Sequence, residues 1–208
     1  MNAFRRLLLL DVGTGNLRSV QKALEAVGAE VWRSNSWRDL SEYPKIVLPG
    51  VGAFGDFMHR LRSLGLEQPL RQALERGAAL LGICVGMQAL FESSEEMGFH
   101  IGLGLLKGKV VRFPQSPWLK VPHTGWNELI VRREHFLLAG LPEQPFAYFN
   151  HSYYCIPEEE RKCVAATDHE VTFASVVAQG NLCGVQFHPE KSQKVGLKIL
   201  QNFVECRL

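Results

Sequence analysis

The sequence predicts an α/β protein: an open, mostly parallel central sheet flanked by helices, with antiparallel strand additions in the C-terminal half. Three observations predict it. Short apolar runs at 7–10, 46–48 and 79–81 alternate with stretches of helical spacing. A glycine-containing turn follows each of those runs, as short strand-to-helix connections require. Beyond Gly98 the texture changes to short strand-like runs without long helices between them.

Taken in order, 7–10 is a continuous apolar run, the mark of a strand buried on both faces. Residues 13–16 form a turn, and Asn16 is expected to cap a helix reaching about residue 27, where Leu17, Val20, Leu24 and Val27 keep helical spacing. Gly28 ends it. A second strand is expected at 30–33 and a third at 46–48, which enters the loop 49–56. From 57 to 76 the helical pattern is interrupted near Gly65 and Pro69, so two helices are expected. The next strand begins at Ala79, passes through Gly82-Ile83-Cys84-Val85-Gly86 and continues into a helix-compatible segment at 87–91. Strands are then expected at 105–113, 126–131, 146–149, 162–167, 172–177 and 182–187. A last amphipathic helix at 193–206 packs back through Val195, Ile199, Leu200 and Phe203. With no linker, repeat or low-complexity tract, residues 1–208 are expected to form one domain.

Composition narrows the function. A hydrophobic share of 46% and a charged share of 21% suit a soluble globular protein. A net charge of +2 gives no reason to expect nucleic acid or a membrane surface as partner. The opening Arg5-Arg6 and the leucines after it superficially resemble a signal peptide. The apolar stretch is too short, and Asp11 with a glycine turn follows, so a buried strand is expected instead. Five cysteines, an odd number without CxxC spacing, argue against a disulfide framework and a zinc site, and suit a reducing cytosol. No cofactor or metal is expected.

Cys84 lies between strand and helix with Gly82 and Gly86 two residues either side, the pattern of a nucleophile elbow. A helix starting there directs free amides at the sulfur and favours thiolate over thiol. The alternative is a small buried residue at a tight turn. A nucleophile needs a base, and of the seven histidines His188 has the most suggestive context: an apolar run ending in His188-Pro189-Glu190. At a strand's carboxyl end it lies on the same sheet edge as Cys84. Glu190, bending back after Pro189, can accept from the other ring nitrogen. A developing oxyanion needs donors, and the Val85 amide is one. The loop Gly50-Val51-Gly52 can supply another from Val51 or Gly52, although on its own it reads more readily as an ordinary strand-to-helix turn.

Six segments in order carry a resemblance to a known family: 11–20, the Pro49 loop, the Cys84 elbow, Val121-Pro122-His123-Thr124-Gly125-Trp126-Asn127, Tyr148-Phe149-Asn150-His151-Ser152-Tyr153, and the His188 segment. Together they resemble a class I, triad-type glutamine amidotransferase, and more narrowly the branch that serves as glutaminase subunit of imidazole glycerol phosphate synthase. The resemblance implies that Cys84 attacks the glutamine side-chain amide, with His188 as acid and base and Glu190 orienting it. It implies that Gln88 and the backbone of His151, Ser152 and Tyr153 hold glutamine. It further implies a cytoplasmic heterodimer in which ammonia passes to a separate (β/α)8 cyclase subunit for histidine biosynthesis, with Asn16, Trp126 and Asn127 on the docking side. On the plain reading Asn16 is a helix cap and Trp126 a core aromatic.

The sequence departs from the family pattern at Val12, where an aromatic is common, at Thr124, where Met is common, and at Asn150, where an apolar residue is usual. Three alternatives stand beside this reading. A paralogue feeding another synthase keeps the triad and changes the Asn16 and Trp126 surfaces. A Cys-elbow peptidase or deglycase-like enzyme does not predict the separate His-Pro-Glu. A non-catalytic subunit has no reason to keep Cys84.

Overall fold

The computed structural model describes residues 5–206; the remaining termini of the expected 1–208 domain lie outside the described residues. An eight-stranded sheet forms its centre, in the order Glu30–Ser34, Arg6–Leu10, Lys45–Gly50, Ala79–Cys84, Leu182–Val185, Val171–Gln179, Cys163–His169, Ile130–Val131. Strands β1 (Arg6–Leu10), β2 (Glu30–Ser34), β3 (Lys45–Gly50), β4 (Ala79–Cys84) and β14 (Leu182–Val185) run parallel. Leu7, Leu8, Leu9 and Leu10 are fully buried, as a continuous apolar run in a sheet covered on both faces must be. β2 closes one edge and leaves Trp32 half exposed. The other side continues through β13 (Val171–Gln179), β12 (Cys163–His169) and β9 (Ile130–Val131), all antiparallel.

Helices α1 (Leu17–Ala26), α2 (Phe54–Ser63), α3 (Glu67–Glu75) and α5 (Gln193–Glu205) flank the sheet. The expected break between α2 and α3 falls at Gly65, whereas Pro69 sits inside α3. At the third helical position its missing N–H removes no intrahelical bond, so proline costs the helix nothing there. Asn16 precedes α1 but makes no side-chain cap; only its backbone carbonyl accepts, from the N–H of Ser19 and Val20. The expected side-chain cap is therefore absent.

The C-terminal half divides further than its sequence indicates. Only β13, β12 and β9 extend the main sheet antiparallel. β8 (His123–Glu128) and β10 (Phe146–His151) form a two-stranded sheet, and β11 (Tyr153–Pro157), β7 (Gly108–Arg112), β5 (Ser93–Ser94) and β6 (His100–Ile101) form a four-stranded one. The expected single strand at 126–131 is split, because buried Leu129 turns the chain from β8 into β9. β11 was not expected. It begins one residue after β10, so the chain changes sheets at Ser152.

The close packing at the elbow explains its glycines. A Cβ at Gly86 would stand 1.8 Å from the Leu48 carbonyl oxygen of β3, and one at Gly82 would stand 2.6 Å from the Gly86 oxygen. Backbone on backbone leaves no flexible atom to give way. Gly86→Ala is expected to lower stability by about 2 kcal/mol or more, by overpacking. Urea unfolding measures it, and an alanine variant as stable as the parent would contradict this geometry.

Candidate active site

The carboxyl ends of three neighbouring parallel strands bring the site together. Register pairs Gly50 of β3 with Cys84 of β4, and Val185 of β14 with Ile83. The residues just past each strand therefore collect on one edge, where ligands bind in such sheets. A cavity of about 290 Å³ opens there, lined by Val51, Gly52, Cys84, Val85, Gln88, Glu96, Pro122, Asn150, His151, Ser152, Tyr153, His188 and Lys191. Every residue expected to be catalytic, to hold glutamine or to donate to an oxyanion lines it, except Glu190. The turn after β1 is not part of the lining. Asp11 there accepts from the Gly13 N–H and pairs with Arg33 at 2.6 Å, which makes it structural.

Cys84 occupies a strained elbow, with φ of 54° and ψ of −113°. A non-glycine residue at positive φ costs of order 1–3 kcal/mol and persists where surrounding structure imposes it. The helix after it, α4 (Val85–Gln88), is a single turn rather than the longer segment the sequence indicates. A four-residue helix carries little macrodipole, so local amides and side chains must supply the field at the sulfur.

His188 and Glu190 form the pair the sequence indicates. Their side chains are 6% and 2% exposed, and His188 Nδ1 donates to Glu190 Oε1 at 3.0 Å. The short 3₁₀ turn Pro189–Lys191 bends the chain back so that this contact can form. The His188 backbone is held from two sides: its N–H donates to the Tyr148 carbonyl at 2.9 Å, and its carbonyl accepts from Ser192 Oγ at 2.7 Å. Burial disfavours the imidazolium, but the hydrogen bond with Cys84 and that with Glu190 prevail and raise His188 from 6.5 to about 10. His188 is thus cationic at neutral pH beside the sulfur. The other four cysteines are held as thiols. Burial raises each of them, Cys183 to about 12.

Two residues at the site, one in the cavity wall and one beneath it, carry no role in the sequence analysis. Glu96 is half-buried, its carboxyl raised by burial although the Phe54 N–H donates to it at 2.7 Å. Its sequence signal is weak, because Glu92 and Glu95 stand beside it with equal claim. Gln186 lies under the cavity, fully buried, with its Nε2 3.8 Å from the Cys84 sulfur. Two of the unusual residues explain each other: Thr124 and Asn150 face across β8 and β10, and Thr124 Oγ1 donates to Asn150 Oδ1 at 3.1 Å.

The residues expected at a docking surface differ among themselves. Asn16 is exposed. Trp126 is 48% exposed, which overturns the plain reading of it as a core aromatic. Its ring meets Tyr148 edge-on at 6.1 Å, and the Lys191 ammonium lies 5.6 Å from the Tyr148 ring centre. Asn127 is half-buried, donating to the Asp168 carbonyl and to His123 and accepting from the Glu128 N–H.

The chain is similar to known proteins over nearly its whole described length. The sequence profile described as "Glutamine amidotransferase class-I" matches residues 8–206. The chain is 51% identical over 199 residues to "Imidazole glycerol phosphate synthase subunit HisH" of Aquifex aeolicus, covering 95% of each chain. It is 46% identical over 204 residues to the protein of that name from Sulfurimonas denitrificans, covering 97% of this chain and 98% of the other. Among solved structures, a glutamine amidotransferase superposes with a TM-score of 0.75 at 21% identity, covering 96% of this chain and 99% of that one. PurLQS from Thermotoga maritima superposes at 0.74 with 23% identity, covering 96% of both.

Two buried histidines behave oppositely to His188. Burial lowers His123 to about 4, helped by His169, and lowers His151 to about 3. Their folded values lie below the ordinary 6.5, so an unfolded chain takes up protons that the native state refuses. Stability present above pH 6.5 is therefore lost as pH falls toward 4. The His188 contribution has the opposite sign: complete below pH 6.5, it is lost as pH rises through about 10. Urea unfolding between pH 7 and pH 4 is expected to show a loss on the order of 3 kcal/mol from His123. His123→Asn flattens this slope, and an unchanged slope would contradict the assignment.

Proposed function

Because the chain belongs to the class I glutamine amidotransferase family, alongside the HisH subunits of imidazole glycerol phosphate synthase, we propose that it is the glutaminase half of that synthase. It hydrolyses L-glutamine to glutamate and ammonia. The ammonia passes to a separate cyclase subunit, a (β/α)8 barrel, in histidine biosynthesis. The observation that carries this reading is the buried His188–Glu190 pair beside Cys84, with His188 and Cys84 both lining one cavity.

Cys84 attacks the side-chain amide carbon of glutamine, and the carbonyl oxygen takes up the charge. The Val85 amide, at the start of α4, is one donor for that oxygen; the loop after Gly50 offers Val51 or Gly52 as the second. His188, charged before the attack, gives its proton to the departing nitrogen and is left neutral. It then takes a proton from water, which opens the glutamyl thioester. Glu190 holds the imidazole in one orientation and stabilises its charged form.

Glutamine recognition follows from what remains on the walls. Gln88 uses its Nε2 on the Tyr153 carbonyl and on Gln186, leaving its Oε1 as an acceptor. Backbone groups of His151, Ser152 and Tyr153 face the amino-acid end of the substrate. Glu96 is the counter-charge for the α-ammonium, since a half-buried carboxylate beside the cavity gains most from meeting a cation.

We assign the docking side to the face of Asn16 and Trp126. Trp126, Tyr148 and Lys191 link that face to the cavity. An exposed aromatic beside a cation is the composition that interface centres favour. The five free thiols suit a heterodimer working in the reducing cytoplasm.

The purified chain is expected to hydrolyse glutamine slowly alone and faster with the cyclase and its nucleotide ligand. Cys84→Ala abolishes ammonia release, a loss of 10³-fold or more by analogy with removal of other triad nucleophiles. Full ammonia production by that variant would contradict the mechanism. Trp126→Ala is expected to weaken cyclase binding by about tenfold or more, as truncation of a central aromatic does. Titration calorimetry measures it, and unchanged affinity would move the docking side elsewhere.

A further inference from the structure

The Tyr153 carbonyl oxygen anchors a buried polar chain that ends at the nucleophile. It accepts from His151 Nδ1 at 2.9 Å and from Gln88 Nε2 at 3.0 Å. A backbone carbonyl can only accept, so both partners carry hydrogen there. On one side this fixes tautomers. Neutral His151, protonated at Nδ1, presents Nε2 as acceptor to His123 Nδ1 at 3.1 Å, and His123 Nε2 then accepts from Asn127 Nδ2 at 3.2 Å.

On the other side it fixes an amide. Heavy-atom positions alone do not tell the two ends of a glutamine side chain apart. Here the partner decides. The Gln88 atom at the Tyr153 oxygen is a nitrogen, and it also meets one end of the Gln186 amide at 3.2 Å. That end is therefore oxygen, and the end 3.8 Å from the Cys84 sulfur is the NH₂. Gln186 has no freedom to turn away: it is 0% exposed, and its backbone N–H donates to the Ser175 carbonyl at 2.9 Å.

We propose that Gln186 is a catalytic residue of glutamine hydrolysis, its side-chain N–H donating to the Cys84 sulfur and stabilising the thiolate before attack. The inference rests on Cys84 being the nucleophile. A hydrogen bond to a charged acceptor is stronger than one to a neutral acceptor, so the contact tightens as the thiol ionises. Burying an amide here where an apolar side chain would fill the space also calls for partners at both ends. Gln88 is one, and the sulfur is the other. The titratable groups facing that sulfur are His188 and Cys155, and Gln186 adds a donor that pH does not remove.

The test replaces Gln186 by methionine, of similar volume without the donor, and by asparagine, which keeps an amide but withdraws it by one methylene. Iodoacetamide alkylation of Cys84 at pH 7 is expected to slow about tenfold in both. With the cyclase present, kcat for glutamine falls about tenfold while KM stays within about twofold. If Gln186→Met fails to fold, Gln186→Asn carries the test. Alkylation at the parental rate overturns the proposal, as does a fall in kcat without slower alkylation, which leaves Gln186 only a packing role. If iodoacetamide instead modifies another cysteine in the parent chain, or Cys84→Ala stays active, the nucleophile assignment itself has failed, and the Gln186 proposal falls with it.

Discussion

The backbone at Cys84 is the constraint on which the rest depends. A side chain at φ of 54° is held only if its surroundings leave no relaxed alternative. Here β3 supplies that enclosure. Its Leu48 carbonyl lies so close to Gly86 that no side chain fits, and its last residue, Gly50, pairs in register with the cysteine. β14 runs along the other side of β4 and delivers His188 to the same edge. Three parallel strands, far apart in sequence, thus fix a sulfur, a base and a glycine loop within one cavity.

Electrostatics then divides chemically identical side chains into different roles. His188 is buried like His123 and His151, and burial pushes all three toward the neutral form. Only His188 has a sulfur on one face and a carboxylate on the other, and those neighbours reverse the sign. His123 and His151 meet each other, a carbonyl and an asparagine, so they stay neutral and serve as fixed donors and acceptors. The cysteines divide in the same way. Burial holds the other four as thiols, and Cys84 alone shares its cavity with an imidazolium.

How much of this was legible in the sequence follows from how local each signal is. The elbow was legible because its glycines stand two residues from the cysteine they serve. The parallel half of the sheet was legible because continuous apolar runs alternate with helical spacing. The partition of the C-terminal strands was not, since the turn at Leu129 and the change of sheet at Ser152 depend on which strands lie opposite. Glu96 was hidden among three glutamates. Asn127 belongs to a motif expected to face a partner, and its amide also bonds to His123 and to the Asp168 carbonyl, contacts that linear reading cannot show. Thr124 and Asn150, each odd alone, form one cross-strand pair that linear reading cannot connect.

The central claim is that glutamine becomes covalently attached to Cys84 during turnover. Acid quenching of the chain with its cyclase during steady-state hydrolysis, followed by peptide mass mapping, tests it most directly. The account predicts one glutamyl group on the peptide containing Cys84, removable by hydroxylamine as a thioester is. A glutamyl group on any other residue, or none under conditions where ammonia is being released, would contradict it.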